Sequence, residues 1–234
     1  MIEISHISKQ YLGTTKKALH GVSLSIPTES FTVFLGSSGC GKSTLFKIIS
    51  GLETADSGKV AIEGKVAMVF QSGALLPWLS AYDNVAFALL NDDLTPKEKD
   101  FKIIQALEDV GLSDFKDKLP REISGGQRQR IGIARALVSD ADVLLFDEPF
   151  SALDIATVYE MHGDLIDIWQ RQKKTIILIS HSLEEAILLG QTIYVFGAGE
   201  VKKVFNNPAP YPRKIEDSDQ ANLLKEVKQS LLSV

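Results

Sequence analysis

Short apolar runs, set off by glycine and polar turns, alternate along the chain with longer stretches of helical period. Residues 31–35 read as a strand, followed by a Gly-rich turn and a helix over 43–50. Residues 65–70 read as another strand. Residues 143–146 and 175–179 are brief continuous apolar runs, the pattern of strands buried on both faces, with a helix predicted over 155–171 between them. The span 82–110 reads as helical, broken by the polar turn Asn91-Asp92-Asp93 and by Thr95-Pro96, an N-cap and first-turn proline. Residues 192–196, the Gly197-Ala198-Gly199 turn and 201–205 predict a hairpin. Alternation of this kind predicts an α/β domain with a largely parallel central sheet.

The strongest punctuation is residues 206–212, NNPAPYP, whose three prolines cannot sit inside a helix or a central strand. It reads as the end of a main domain over 1–205 and the start of a Pro-rich linker and helical tail over 206–234. In that tail Leu223, Leu224, Val227 and Leu231 share one helical face.

Composition narrows the classes of function. The chain of 234 residues is 44% hydrophobic and 24% charged, enough to bury a sizeable core. A net charge of −5 gives no general reason to bind nucleic acid. The longest apolar run, Val85 to Leu90, is six residues, against roughly twenty for a membrane span. The N-terminus lacks the basic and apolar regions of a signal peptide. The lone Cys40 excludes an intramolecular disulfide. These features together predict a soluble, cytosolic protein.

The candidate chemistry begins at Gly36-Ser37-Ser38-Gly39-Cys40-Gly41-Lys42-Ser43, a full match to G-x(4)-G-K-[ST] between a predicted strand and a predicted helix. Glycines let successive N–H groups turn inward around a phosphate, and the helix that follows adds its positive end. Lys42 would supply a point charge to the β- and γ-phosphates, and the Ser43 hydroxyl could ligate Mg²⁺; Thr44 stands next on the helix. A glycine turn with a stray lysine is the bland alternative, and the flanking strand and helix argue against it. Asp147 ends the apolar run 143–146, where a carboxylate can hold the water shell of Mg²⁺. Glu148 follows directly and can face an attacking water as general base.

Ser124-Gly125-Gly126-Gln127 with Arg128-Gln129-Arg130 resembles the signature motif of ABC transporter nucleotide-binding subunits. Other family elements stand in order around it, and the resemblance covers roughly residues 2–205. Tyr11 resembles the aromatic that stacks on adenine, and Gln71 the glutamine that senses Mg²⁺ and the γ-phosphate. Ser151-Ala152-Leu153-Asp154 is similar to the D-loop, and His181 to the switch histidine. The resemblance implies a P-loop NTPase core with a mostly parallel sheet, an antiparallel β subdomain and a helical subdomain over about 72–135. It implies an ATPase that works as a head-to-tail homodimer and sandwiches two ATP molecules with Mg²⁺. Lys42, Glu148 and His181 would be catalytic, and Ser43, Gln71 and Asp147 would serve the metal. Ser124, Gly125, Gly126, Gln127 and Asp154 would reach the partner's nucleotide in trans. Ser124-x-x-Gln127 is also an ordinary capping box, and both roles are compatible.

Two positions depart from the family pattern. Ile123 replaces a leucine, which conserves volume. Ser182 follows His181 where many relatives carry aspartate, which leaves the orientation of the histidine open. The wording of Gln71 to Phe87, with Leu-Pro-Trp-Leu and Asp-Asn-Val-Ala-Phe, resembles the nitrate, sulfonate and taurine branch of bacterial importers. The resemblance implies partners: separate integral membrane permease subunits, and through them a periplasmic or surface solute-binding protein. It places the chain at the cytoplasmic face of the inner membrane. Trp78, beside a proline in a loop, is the candidate contact with the permease, whereas Phe87 reads as core. An exporter ATPase or a soluble ABC ATPase outside transport is the alternative. Arg128, Arg130 and Arg135 on the signature helix read as a partly solvated face rather than a nucleic-acid patch.

Overall fold

The computed structural model describes residues 1–71 and 73–233. Ser72, inside the Gln71 to Phe87 stretch, lies outside the described residues, as does Val234. The chain divides into two compact units, one of residues 1–64 and 173–234, the other of residues 65–172.

The first unit holds, in chain order, strands β1 (Ile2–Lys9), β2 (Leu19–Ile26) and β3 (Phe31–Leu35), helix α1 (Lys42–Ile49) and strand β4 (Ser57–Ile62). After the second unit it continues with β7 (Thr175–Ser180), α6 (Leu183–Leu189), β8 (Thr192–Gly197), β9 (Glu200–Asn206) and α7 (Ser218–Leu232). The second unit holds β5 (Val66–Val69), α2 (Ala81–Ala86), α3 (Pro96–Asp109), α4 (Gly125–Val138), β6 (Val143–Asp147) and α5 (Ile155–Gln172).

In the first unit β2, β1 and β4 form an antiparallel sheet with β1 in the middle. The pattern of β1 changes phase: Ile2 and Ile4 are buried, then Ile7 and Lys9. An irregularity in both ladders spans that change, and His6 lies within it at φ 53°. Gly58 of β4 accommodates the bulge, since a Cβ there would lie 2.5 Å from the carbonyl oxygens of Ser5 and His6.

The second sheet region of this unit is mostly parallel, as expected. β3 pairs in parallel with β7 on one side and β8 on the other, and β9 returns antiparallel to β8. Every residue of β3 and β7 is buried, which is why residues 175–179 read as a continuous apolar run. Phe34 anchors this core, its ring 5.8 Å from Phe46, 5.7 Å from Tyr194 and 4.9 Å from Phe196.

In the second unit β5 and β6 form a parallel ladder, and α2, α3 and α4 pack on one another. Thr95 caps α3 with a reciprocal Thr95–Glu98 box and Pro96 in the first turn. Burial on α2 follows Ala81 and Val85 and continues to Leu89, so Phe87 points elsewhere and is 50% exposed. The expectation of Phe87 as core is therefore corrected: the buried face recurs every four residues and takes Leu89, in the 3₁₀ turn Phe87–Leu89, leaving Phe87 off that face. Among the described residues no helix is long and apolar enough to cross a membrane.

Candidate functional site

Register places the key loops of the first unit. Leu35, the last residue of β3, pairs with Ser180, the last residue of β7. The next residues, Gly36 and His181, therefore leave the sheet side by side at the carboxyl edge of parallel strands, where α/β folds bind their ligands. Gly36 to Gly41 wraps from β3 into α1. Ser37, Ser38, Gly39 and Ser43 are exposed, and Gly36, Cys40 and Gly41 are buried. Gly41 caps α1 at φ 107°, and a Cβ there would lie 2.5 Å from the carbonyl oxygen of Ala18. Lys42, only 4% exposed, donates from Nζ to the carbonyl oxygens of Gly36 at 2.7 Å and Ser37 at 3.0 Å. Its ammonium is thus held inside the curve of its own loop, where loop carbonyls replace water. Cys40 Sγ, 3.5 Å from Lys42 Nζ, fills the space under Gly36.

The loop is braced from outside by Gly199, in the β8–β9 turn. Its N–H donates to Cys40 O at 3.0 Å, and its carbonyl accepts from His20 N at 2.9 Å. Tyr11, just past β1, lies with its hydroxyl 3.5 Å from Thr44 Oγ1 and its ring 5.5 Å from the Lys9 ammonium. Lys9 is held in turn by Glu53 at 2.9 Å and Asp56 at 3.5 Å. Ser182 follows His181 at the start of α6. It caps α6, its Oγ accepting from Glu185 N at 3.3 Å, so a hydroxyl does the capping work open to an aspartate.

The second unit builds its edge in the same way. Val69 pairs with Phe146, so Gln71 and the Asp147-Glu148 pair emerge together. Glu148 stands at φ 48°, a left-handed conformation uncommon outside glycine, which turns it away from the strand direction of Asp147. Gln71 Nε2 donates to Ser151 Oγ at 2.7 Å, and Ser151 Oγ donates to Glu148 O at 3.0 Å. Ser124 caps α4 in a reciprocal box: Gln127 N donates to Ser124 Oγ at 3.2 Å and Ser124 N to Gln127 Oε1 at 2.9 Å. Gly126 has no room for a side chain, since its Cβ would meet Thr157 Cγ2 at 2.7 Å; Gly125 has ordinary space beside Leu153. Thr157 is itself fixed by Asp154, which accepts its hydroxyl at 2.7 Å and its N–H at 3.0 Å. The Thr157 hydroxyl, then the backbone N–H groups, hold the Asp154 carboxyl below its usual range. The SGGQ and SALD segments are therefore packed together in this unit.

The three arginines of α4 are partly exposed, as expected, and each also anchors its helix to a neighbouring segment. Arg128 donates to Ile123 O at 2.8 Å, Arg130 pairs with Asp164 at 2.8 Å, and Arg135 donates to Gly73 O at 2.7 Å. Arg135 is half-buried, and burial lowers the pKa of its guanidinium. Sequence reading also missed Asn84. Fully buried, it accepts from Leu76 N at 2.8 Å and donates to the carbonyls of Leu76, Leu79 and Ser80. That one amide shapes the loop that presents Trp78, which is 71% exposed. A lone asparagine in a helical stretch offers no periodic signal of such a role.

A glycine-rich loop that opens a helix at the carboxyl edge of a parallel ladder, with a buried lysine at its end, defines a P-loop nucleotide-binding protein. Residues 19–151 match the family model for ABC transporter, and the chain belongs to that family. It is 38% identical to the taurine import ATP-binding protein TauB of Rhizobium johnstonii, over 98% of this chain and 92% of the relative. It is 37% identical to the aliphatic sulfonates import ATP-binding protein SsuB of Bacillus cereus, over 97% and 94%. Identity to the nitrate import ATP-binding protein NrtD of a Synechocystis species is 41%, over 84% and 78%. Among solved structures it resembles the dimeric ATP-binding cassette MJ0796 bound to ADP and Pi, with TM-score 0.81, 28% identity, and coverage of 90% of this chain and all of the other. It also resembles cbiO1 of Clostridium perfringens, part of the transporter complex cbiONQ, with TM-score 0.82, 27% identity, and coverage of 100% and 98%.

Proposed function

We propose that the chain is the ATP-hydrolysing subunit of a bacterial ABC importer for a small oxyanion or sulfonate, in the class of nitrate, taurine and alkanesulfonates. The observation that carries this reading is its likeness, over nearly its whole length, to import ATP-binding proteins, with Lys42, Asp147 and Glu148 all in place. ATP binding and hydrolysis in a head-to-tail homodimer drive separate membrane permease subunits, and a solute-binding protein delivers the solute on the other side. The chain works at the cytoplasmic face of the membrane, held there through the permease.

The N–H groups of Gly36 to Ser43 and the Lys42 ammonium take the phosphates, and Tyr11 stacks on the base. Among the described residues no cluster of three or more His, Cys, Asp or Glu could hold a metal ion. The hydroxyl of Ser43, the carboxylate of Asp147 and the amide oxygen of Gln71 are hard oxygen donors of the kind Mg²⁺ takes, one or two from the protein together with substrate phosphates. Ser43, Asp147 and Gln71 are the residues that would hold it, and when bound it supplies charge neutralisation across the phosphates. Glu148 orients and deprotonates the attacking water, and His181 contacts the γ-phosphate. Ser124, Gly125, Gly126, Gln127 and Asp154 complete the partner's site. The test is reconstitution with its cognate permease and binding protein in vesicles. ATP-driven uptake of taurine, an alkanesulfonate or nitrate supports the reading. Hydrolysis with no uptake of any of the three would remove the substrate class, and export of solute would reverse the direction.

A further inference from the structure

The two ends of α6 are fastened to different parts of the first unit. At its start, both neighbours of His181 are tied to one residue of the helix. Ser180 Oγ donates to the Glu185 carboxylate at 2.5 Å, Ser182 N donates to Ser180 Oγ at 2.8 Å, and Glu185 N donates to Ser182 Oγ at 3.3 Å. The backbone on either side of His181 thus moves with the first turn of α6.

At the other end, the segment after β9 gathers the terminal carbonyl groups of the helix. Arg213 is 8% exposed and donates from Nη1 to Gly190 O at 2.7 Å and Ile187 O at 3.2 Å. From Nη2 it donates to Asn207 O at 2.9 Å, and from Nε to Ala209 O at 3.0 Å. Asn207 Nδ2 donates to Ile187 O at 2.9 Å, and the Tyr211 hydroxyl donates to Leu189 O. The Tyr211 ring covers the guanidinium at 4.1 Å. Four carbonyl oxygens accept from Arg213, and two of them belong to α6 and its cap. A buried cation at a helix carboxyl end is favoured by the helix dipole as well as by these bonds.

Between the two anchorages lie only seven residues, about 10 Å of helix. Gly190 offers no slack at the far end, since a Cβ there would meet Ala186 O at 2.9 Å, Val33 Cγ2 at 3.0 Å and Ile193 Cγ1 at 3.1 Å. Two turns of helix, tightly packed along their length, shift as one body.

We propose that Arg213, assisted by Tyr211 and Asn207, is a positioning residue for His181, acting through α6. The carboxyl-terminal segment then sets the rate of hydrolysis without touching the nucleotide. This rests on the role given to His181 above. Arg213→Met in the full chain tests it. The expected result is a fall in kcat of about tenfold with KM for ATP within about twofold, because the P-loop is not carried by α6. In imidazole NMR, where the chain shows four histidines, the His181 signal should shift or split while His6, His20 and His162 stay fixed. In a His181→Ala background Arg213→Met should change kcat no further. Should Arg213→Met fail to fold, Tyr211→Phe removes the hydroxyl and keeps the ring over the guanidinium, and should show the same pattern at about a third of the amplitude. An unmoved His181 signal, or kcat losses that multiply with those of His181→Ala, would overturn the positioning role. Wild-type turnover in His181→Ala alone would instead overturn the role of the histidine, and the kinetic claim for Arg213 with it.

Discussion

Gln71 and Ser151 are joined by a 2.7 Å hydrogen bond, and the same serine hydroxyl donates onward to the backbone of Glu148 at 3.0 Å. One hydroxyl thus links the loop assigned to the metal with the residue assigned to the water. Ser151→Ala removes both bonds and keeps the chain path. Turnover should fall about three- to tenfold while ATP affinity changes less than about twofold. Steady-state hydrolysis beside nucleotide titration measures both, and an unaltered kcat would show that the link carries no catalytic weight.

Glu148→Gln keeps the size of the side chain and removes its basicity. Hydrolysis should drop by at least about a hundredfold with ATP binding retained. Size-exclusion chromatography should then show an ATP-dependent dimer. Wild-type turnover in this variant would remove Glu148 from the role of base.

Gly41→Ala meets two obstacles at once, φ of 107° and a carbonyl oxygen 2.5 Å from the new Cβ. It should cost about 2 kcal/mol or more of stability and weaken ATP binding sharply. Gly39→Ala, at φ 77° with open space around it, should cost about 1 kcal/mol. Thermal melts of the two variants side by side give the comparison; equal losses would mean that the contact with Ala18 is relieved by a shift of the loop.

His162 of α5 is buried against the Phe150 and Tyr159 rings, with neither ring nitrogen hydrogen-bonded. Burial pushes its pKa from the usual 6.5 down to about 4. Between those values the unfolded chain binds the extra proton and the folded chain refuses it. This contribution to stability is therefore whole above pH 6.5 and is lost as pH falls towards 4, by about 3 kcal/mol across the interval. Urea denaturation at several pH values should show this slope in the wild type and a flatter one in His162→Leu.

Trp78→Ala should leave nucleotide affinity intact and weaken association with the membrane subunit by about tenfold or more, the scale of an aromatic anchor. Asn84→Ala should do the same at one remove, since its amide shapes the loop that presents the ring, and should also cost stability. Co-purification of the permease reads the first effect, and an undiminished yield would take Trp78 out of the interface.

The strands buried on both faces were plain in the sequence because their apolar runs have no phase to lose. The P-loop was plain because its glycines and lysine are fixed in spacing by the shape of a phosphate. β1 was harder to see, because the bulge around His6 moves its buried positions from even to odd numbers. Phe87 misled because it was judged by its size and apolar character rather than its phase, which the buried positions Ala81, Val85 and Leu89 set against it. Arg128, Arg130 and Arg135 read correctly as a partly solvated face, but their anchoring was hidden: Arg130 and Arg135 bond to groups more than thirty positions away, and Arg128 to the turn before its own helix. Arg213 was hidden for the same reason: nothing local marks the carbonyl groups of α6 as its partners.

The peptide of Gly199 grips the phosphate loop with its N–H and the start of β2 with its carbonyl. β2 is paired to β1, and Tyr11 follows directly on β1. The two jaws that would hold the ends of a nucleotide, loop for phosphate and aromatic for base, are thereby set on one frame like a fixed calliper. Such a gauge measures the length of its ligand. A nucleotide with a longer spacer between base and phosphates could then meet both jaws only if a bond of that frame gave way.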